Sequence, residues 1–228
     1  MSRSLIAPFA LAFTLLGAVH AHAADVLISG HADGSKTVDV TLSGANPALT
    51  INTAAGGFAT TVNGESFLTY CVDLYEFTSF GVLYNNYTLV PEATHRYANA
   101  RANTDLAKLF ATAGTVAGSV AQAALQIAIW EITYEATGPY SLGSGAAKFT
   151  GGTASSSGAL ALAGTWLNAV PAQTRTANLA VLESTASGRQ PGHQDLVTAV
   201  PEPSTYALLA TGLLGIGFMS RRRAKAAN

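Results

Sequence analysis

Apolar and polar residues alternate in short runs through the first third of the chain. Asp25–Gly30, Thr37–Gly44, Leu49–Asn52 and Phe58–Val62 keep a two-residue period between Gly, Asn and Ser turns, which predicts antiparallel strands. Ser66–Tyr75 is a further strand. On its period Phe67, Thr69, Cys71, Asp73 and Tyr75 share one face, and Leu68, Tyr70, Val72 and Leu74 share the other, more apolar one. Tyr84–Val90 reads as one more strand.

The period then lengthens. Ala93–Ala113 predicts one helix or two short ones, with Arg96, Arg101 and Lys108 on the solvated side. Gly114–Gly118 interrupts it, and a helix from about Ser119 to Ala136 follows. Within it Ala124–Glu135 is apolar on nearly every side, the mark of a helix inside a core. Glu131 and Glu135 are expected at its surface. Gly138–Ser157 reads as a long Gly/Ser/Thr loop, Gly158–Val170 as a third helix ending at Pro171, and Ala177–Glu183 and Gln194–Val200 as strands returning to the sheet. There is no internal repeat. The expected fold is α+β: an antiparallel β-sandwich or barrel with an inserted helical subdomain. The alternative is a plain sandwich with peripheral helices.

Both ends read as processing signals. Met1–Ala24 has a basic n-region at Arg3, an apolar stretch Leu5–Val19 and a small-x-small site at Ala21-His22-Ala23, so it is expected to be a secretory signal peptide. Residues 25–200 form the domain, and 201–228 form a tail. The tail opens with Pro201-Glu202-Pro203, continues with the apolar run Tyr206–Met219, and ends with Arg221, Arg222 and Arg223. As a helix that run spans roughly 21 Å, less than the ~30 Å hydrocarbon core, which suits brief inner-membrane retention better than permanent anchoring. The arginines would remain cytoplasmic as a stop. The order of motif, apolar helix and basic end resembles the PEP-CTERM sorting signal. That resemblance implies export in a Gram-negative bacterium, recognition by an exosortase, and delivery to the cell surface or extracellular matrix. The alternative is an ordinary single-pass anchor.

Charge sharpens this picture. The chain is −1 overall. Setting aside Arg3, Arg221, Arg222, Arg223 and Lys225 leaves seven basic against 13 acidic residues, near −6 for the rest. Such a balance argues against nucleic acid as a partner. Cys71 is the only cysteine, so no intrachain disulfide is possible, and an odd thiol in an exported chain invites a chemical explanation.

Gln126 supplies a candidate. A buried helix rarely carries an amide unless something meets it, and Gln122, Gln126 and Trp130 share one face. Gln126-Ile127-Ala128-Ile129-Trp130 resembles the Gln-x-Ala-Ile-Trp motif of bacterial thioester domains, and Tyr70-Cys71 resembles the cysteine motif of that family. The position before the glutamine, often threonine in the family, is Leu125 here. The resemblance implies an internal Cys71–Gln126 thioester and an amine-bearing target on a cell or matrix. Trp130 is expected to shield the bond, with Tyr70, Asp73 and Tyr75 in support. Blander readings stand beside it: Cys71 as an inert core residue, Gln126 as a cap on a backbone group, or Gln122 as the acyl donor. The domain would then be a structural matrix or floc component in which any cross-link only rigidifies. A cysteine hydrolase would need a histidine beside the sulfur, and His31, His95 and His193 are scattered. No metal, cofactor or enzyme turnover is expected.

Overall fold

The computed structural model describes residues 22–45, 47–186, 192–200 and, in the tail, 211, 212 and 214. The alternating runs form β1 (His22–His31), β2 (Lys36–Leu42), β3 (Leu49–Ala55), β4 (Phe58–Val62), β5 (Glu65–Cys71) and β6 (Leu83–Pro91). The helical stretch gives α1 (Ala102–Ala113) and α2 (Ser119–Tyr134). The remainder is β7 (Ala147–Thr150), α3 (Gly152–Ser156), α4 (Ala159–Ala169), β8 (Leu179–Ser184) and β9 (Leu196–Ala199). Six strands close an antiparallel barrel in the order β1-β4-β5-β9-β8-β6, with β6 returning to β1. Closure leaves that sheet without an edge. The other three form a separate antiparallel sheet ordered β3-β2-β7.

Of the two expected architectures, the barrel with inserted helices is the one observed. α1 to α4 and β7 lie between β6 and β8 in the chain. α2 packs on β5 of the barrel, on β2, β3 and β7 of the second sheet, and on α1, α3 and α4. This position explains its composition: with neighbours on every side, all twelve residues from Gln122 to Thr133 are buried. Leu125, Ile127, Ile129, Trp130 and Ile132 are each no more than 2% exposed. At about 1.5–3 kcal/mol per large apolar side chain, they join the two sheets into one core by roughly 10 kcal/mol.

Several expectations need correction. The 93–113 stretch is not helical throughout: a 3-10 turn at Glu92–Thr94 precedes an irregular segment, and the helix starts only at Ala102. The expected loop 138–157 contains β7 and α3. Ala147 and Phe149 point inward while β7 pairs with β2 from Leu42↔Ala147 to Asp39↔Thr150. Gly151 and Gly152 (φ +63° and +60°) then turn the chain so tightly that a Cβ on Gly152 would collide with the Thr37 carbonyl. Glu131 and Glu135 are buried, at 0% and 3% exposure, not at the surface. Their carboxylates accept main-chain N–H groups of the following loop: Ser141 on Glu131 at 2.6 Å, and Ala146 on Glu135 at 2.6 Å. Residues 1–21 of the expected leader lie outside the described residues, and β1 begins at His22, pairing through Ala23↔Thr88 and Ala24↔Tyr87. Pro201, Glu202, Pro203, Arg221, Arg222 and Arg223 lie outside the described residues, as does nearly all of 206–219. Among the described residues no helix is long and apolar enough to cross a membrane.

Candidate functional site

β5 and α2 bring the two candidate residues together. Val72 donates its N–H to the Asp195 carbonyl, one residue before β9 begins. Because main-chain direction alternates along a strand, the Cys71 N–H and C=O face the opposite side, towards β4. The β4–β5 ladder ends at Phe58↔Thr69, so β4 offers Cys71 nothing. Gln126 fills the place. The Cys71 N–H donates to Gln126 Oε1 at 2.9 Å, and Gln126 Nε2 donates to the Cys71 carbonyl at 2.7 Å. The carboxamide thus acts as one peptide unit of a missing strand, across 55 residues of sequence.

The pair is dry. Cys71 and Gln126 are each 1% exposed, and Trp130 is 2% exposed. The thiol donates to the Asp73 carbonyl at 2.6 Å. Burial pushes the Cys71 thiol far above its ordinary value. The Trp130 indole and the Asp73 carbonyl draw it back only in part, and the Asp73 and Asp195 charges add to the rise. The Trp130 N–H has no acceptor at full hydrogen-bond geometry and turns towards the sulfur, while its ring stacks on Phe149 at 6.4 Å and 8°. Trp130 therefore lies in the same buried cluster as Cys71 and Gln126.

The expected supporting residues divide. Asp73 touches the sulfur through its main chain. Its carboxylate instead accepts the Tyr75 N–H at 2.7 Å and the Tyr134 hydroxyl at 3.3 Å. Tyr75 sends its hydroxyl to the Pro47 carbonyl, away from the thiol, because β5 has ended at Cys71 and the two-residue period no longer applies. Tyr70 is buried on the neighbouring strand position, edge-on to Phe110. Gln122 does not meet Cys71; its Nε2 donates to Asp33 Oδ2 at 2.7 Å.

Sequence reasoning missed Tyr134 and Asp195. Tyr134 accepts the Leu74 N–H at 2.9 Å and so holds the chain just after Cys71. Asp195 accepts the Ser184 N–H at 2.7 Å, and burial raises its carboxyl to about 6. Both line a cavity of about 190 Å³ with Val72, Asp73, His95 and Tyr97. Tyr134 follows Gln126 and Trp130 at four-residue spacing, a signal the sequence did contain. Among the described residues no histidine is hydrogen-bonded to the sulfur. His95 pairs with Glu183 at 2.7 Å, His193 packs on Tyr84, and His31 packs on Phe58 and Phe80. The described residues contain no cluster suited to a metal ion.

Residues 199–223 match the PEP-CTERM protein-sorting motif. The motif makes the chain an exosortase-targeted protein, exported to the cell surface. Comparison with curated proteins and with solved structures returned no match, so neither supports the resemblance to thioester domains.

Proposed function

We propose that the exported domain is a covalent attachment module in which the Cys71 sulfur and the Gln126 carboxamide join as an internal thioester. The observation that carries this reading is the two-point pairing of the Gln126 amide with the main chain of Cys71 itself. It ties the amide to the main chain of the residue that carries the thiol. It also sets an N–H donor on Oε1, the atom that gains negative charge as sulfur adds to the carbonyl carbon. Sulfur bonds to Gln126 Cδ, the bond to Nε2 breaks, and ammonia departs with the thiol proton. Burial opposes ionisation of the thiol, but the reaction occurs once per molecule, and an effective molarity of about 10⁵ M or more offsets a scarce nucleophile. Excluding water preserves the product.

In use, an amine nitrogen from a target bonds to Cδ, the C–S bond breaks, and sulfur takes the proton. The result is an amide to Gln126 and a free thiol. The cavity lined by Asp73, Asp195, His95 and Arg96 adjoins Val72, next in sequence to Cys71, and is the opening through which a target amine would approach. Transient retention by 206–219 before exosortase processing belongs to the same proposal. A second reading also has an observation behind it: the amide satisfies two main-chain groups that β4 leaves unpaired, so Gln126 serves as a structural cap in a surface-matrix component.

Thiol titration in denaturant separates the two, because Cys71 is the sole cysteine. The attachment module exposes almost no thiol until methylamine is added and one per chain afterwards, whereas Gln126→Ala shows one from the start. One thiol per chain before any amine overturns the attachment reading and leaves the cap.

A further inference from the structure

The two sheets treat their edges differently. The barrel has none, because β6 closes on β1. In the three-stranded sheet β7 is four residues long and runs straight into the Gly151–Gly152 turn and α3, whose Thr153 hydroxyl takes the Thr37 N–H at 2.8 Å. That edge is short and closed off by the turn. β3, at the other edge, carries none of the usual protection. Its seven residues, Leu-Thr-Ile-Asn-Thr-Ala-Ala, include no charge and no proline. Its register with β2 runs from Lys36↔Ala55 to Leu42↔Leu49 without a bulge. Among the described residues no main-chain hydrogen bond reaches its outer side.

Burial along β3 points to what belongs there. On β2, Val38, Val40 and Leu42 are fully covered, with neighbours on both sides. On β3 the residues of the same face, Leu49, Ile51 and Thr53, are only half-buried, while Thr50, Asn52 and Ala54 are exposed on the other face. A further strand would cover Leu49 and Ile51 if it presented an uncharged, partly apolar alternation of its own. β3 itself has that pattern.

We propose that two copies of this chain pair β3 to β3, antiparallel, about a two-fold axis through Asn52. Opposite residues then lie on the same face: Ile51 meets the partner's Thr53, Thr50 meets the partner's Ala54, and Asn52 meets its own copy. No like charges oppose one another along the strand, and the two three-stranded sheets become one of six. This pairing is independent of the thioester, so either can fail without the other.

The test uses the exported protein with Cys71→Ala, which has no other thiol. Sedimentation equilibrium should show a monomer–dimer equilibrium. Asn52→Cys in that background should form a disulfide-linked dimer under mild oxidation, since residues facing each other across the axis are in bonding range. Thr50→Cys should not, because the two copies of residue 50 lie about 14 Å apart. Asn52→Lys gives up the exposed hydrogen bond from the Asn52 amide to Asp39 Oδ1 at 2.7 Å, sets two ammonium groups face to face and should return the protein to monomer, with an unchanged circular-dichroism spectrum checking that the fold is kept. A parent that is monomeric throughout overturns the proposal. So does equal cross-linking by both cysteines, or a dimer that survives Asn52→Lys but is lost with Phe77→Ser, which would place the interface on the exposed Phe77–Leu83 loop.

Discussion

Replacing Gln126 by leucine, in a chain already carrying Cys71→Ala, isolates the hydrogen bonds at the centre of the site. Residue 71 keeps its main chain in that background, so the amide pairing persists while sulfur chemistry is removed. Leucine nearly matches glutamine in size but can neither accept the residue 71 N–H nor donate to its carbonyl. Both groups are buried where no strand reaches them. Each orphaned main-chain group costs about 1–3 kcal/mol. The added apolar burial returns about 1 kcal/mol. For the two groups together the net loss is about 1–5 kcal/mol. With a urea m-value of about 2 kcal/mol/M for a domain of this size, the unfolding midpoint should fall by about 0.5–2.5 M at unchanged m. A midpoint within about 0.3 M of the Cys71→Ala parent would refute the idea that Gln126 completes the β5 ladder.

Three further outcomes follow from the same structure. On the proposed function, methylamine opens a cross-link that spans 55 residues and should lower stability by about 4 kcal/mol on a chain-entropy basis, measured by denaturant melts before and after treatment. Burial raises the Glu131 carboxyl to about 7, so the folded state binds a proton more tightly than the unfolded chain. Stability from this group is greatest below about pH 4.5 and falls as pH rises to about 7, by at most roughly 3 kcal/mol, and Glu92, also raised to about 7, acts in the same direction. Glu131→Gln should therefore raise the melting temperature at pH 8 and flatten its pH dependence between 5 and 8. Gly152→Ala forces a Cβ against the Thr37 carbonyl at a φ of +60°, and should cost about 2 kcal/mol or more in a urea melt.

The parts of this architecture visible in the chain are those where local pattern and environment agree. β4 is legible at its observed bounds because Phe58–Val62 alternates cleanly between Gly-rich turns. α2 was legible as a core helix because a helix packed on all sides has no polar stripe to keep. The meeting of Cys71 and Gln126 was legible because a buried amide demands a partner, and its partner proved to be the main chain of residue 71. Non-local effects remained hidden. Glu131 and Glu135 look like surface residues until the loop that returns over them supplies N–H donors. Tyr75 seems to share a face with Cys71 only if the strand continues, and β5 stops. β7 has four residues among glycines and serines, too few for a period to show; its identity comes from the open side of β2.

The intact mass of the exported protein, taken before exposure to any amine, bears most directly on the central claim. If sulfur has displaced ammonia from Gln126, the mass lies about 17 Da below that of the processed sequence, and Cys71→Ala removes the deficit. A mass equal to the processed sequence, with Cys71 and Gln126 both intact, contradicts the thioester and leaves Gln126 as the cap of an exported surface domain.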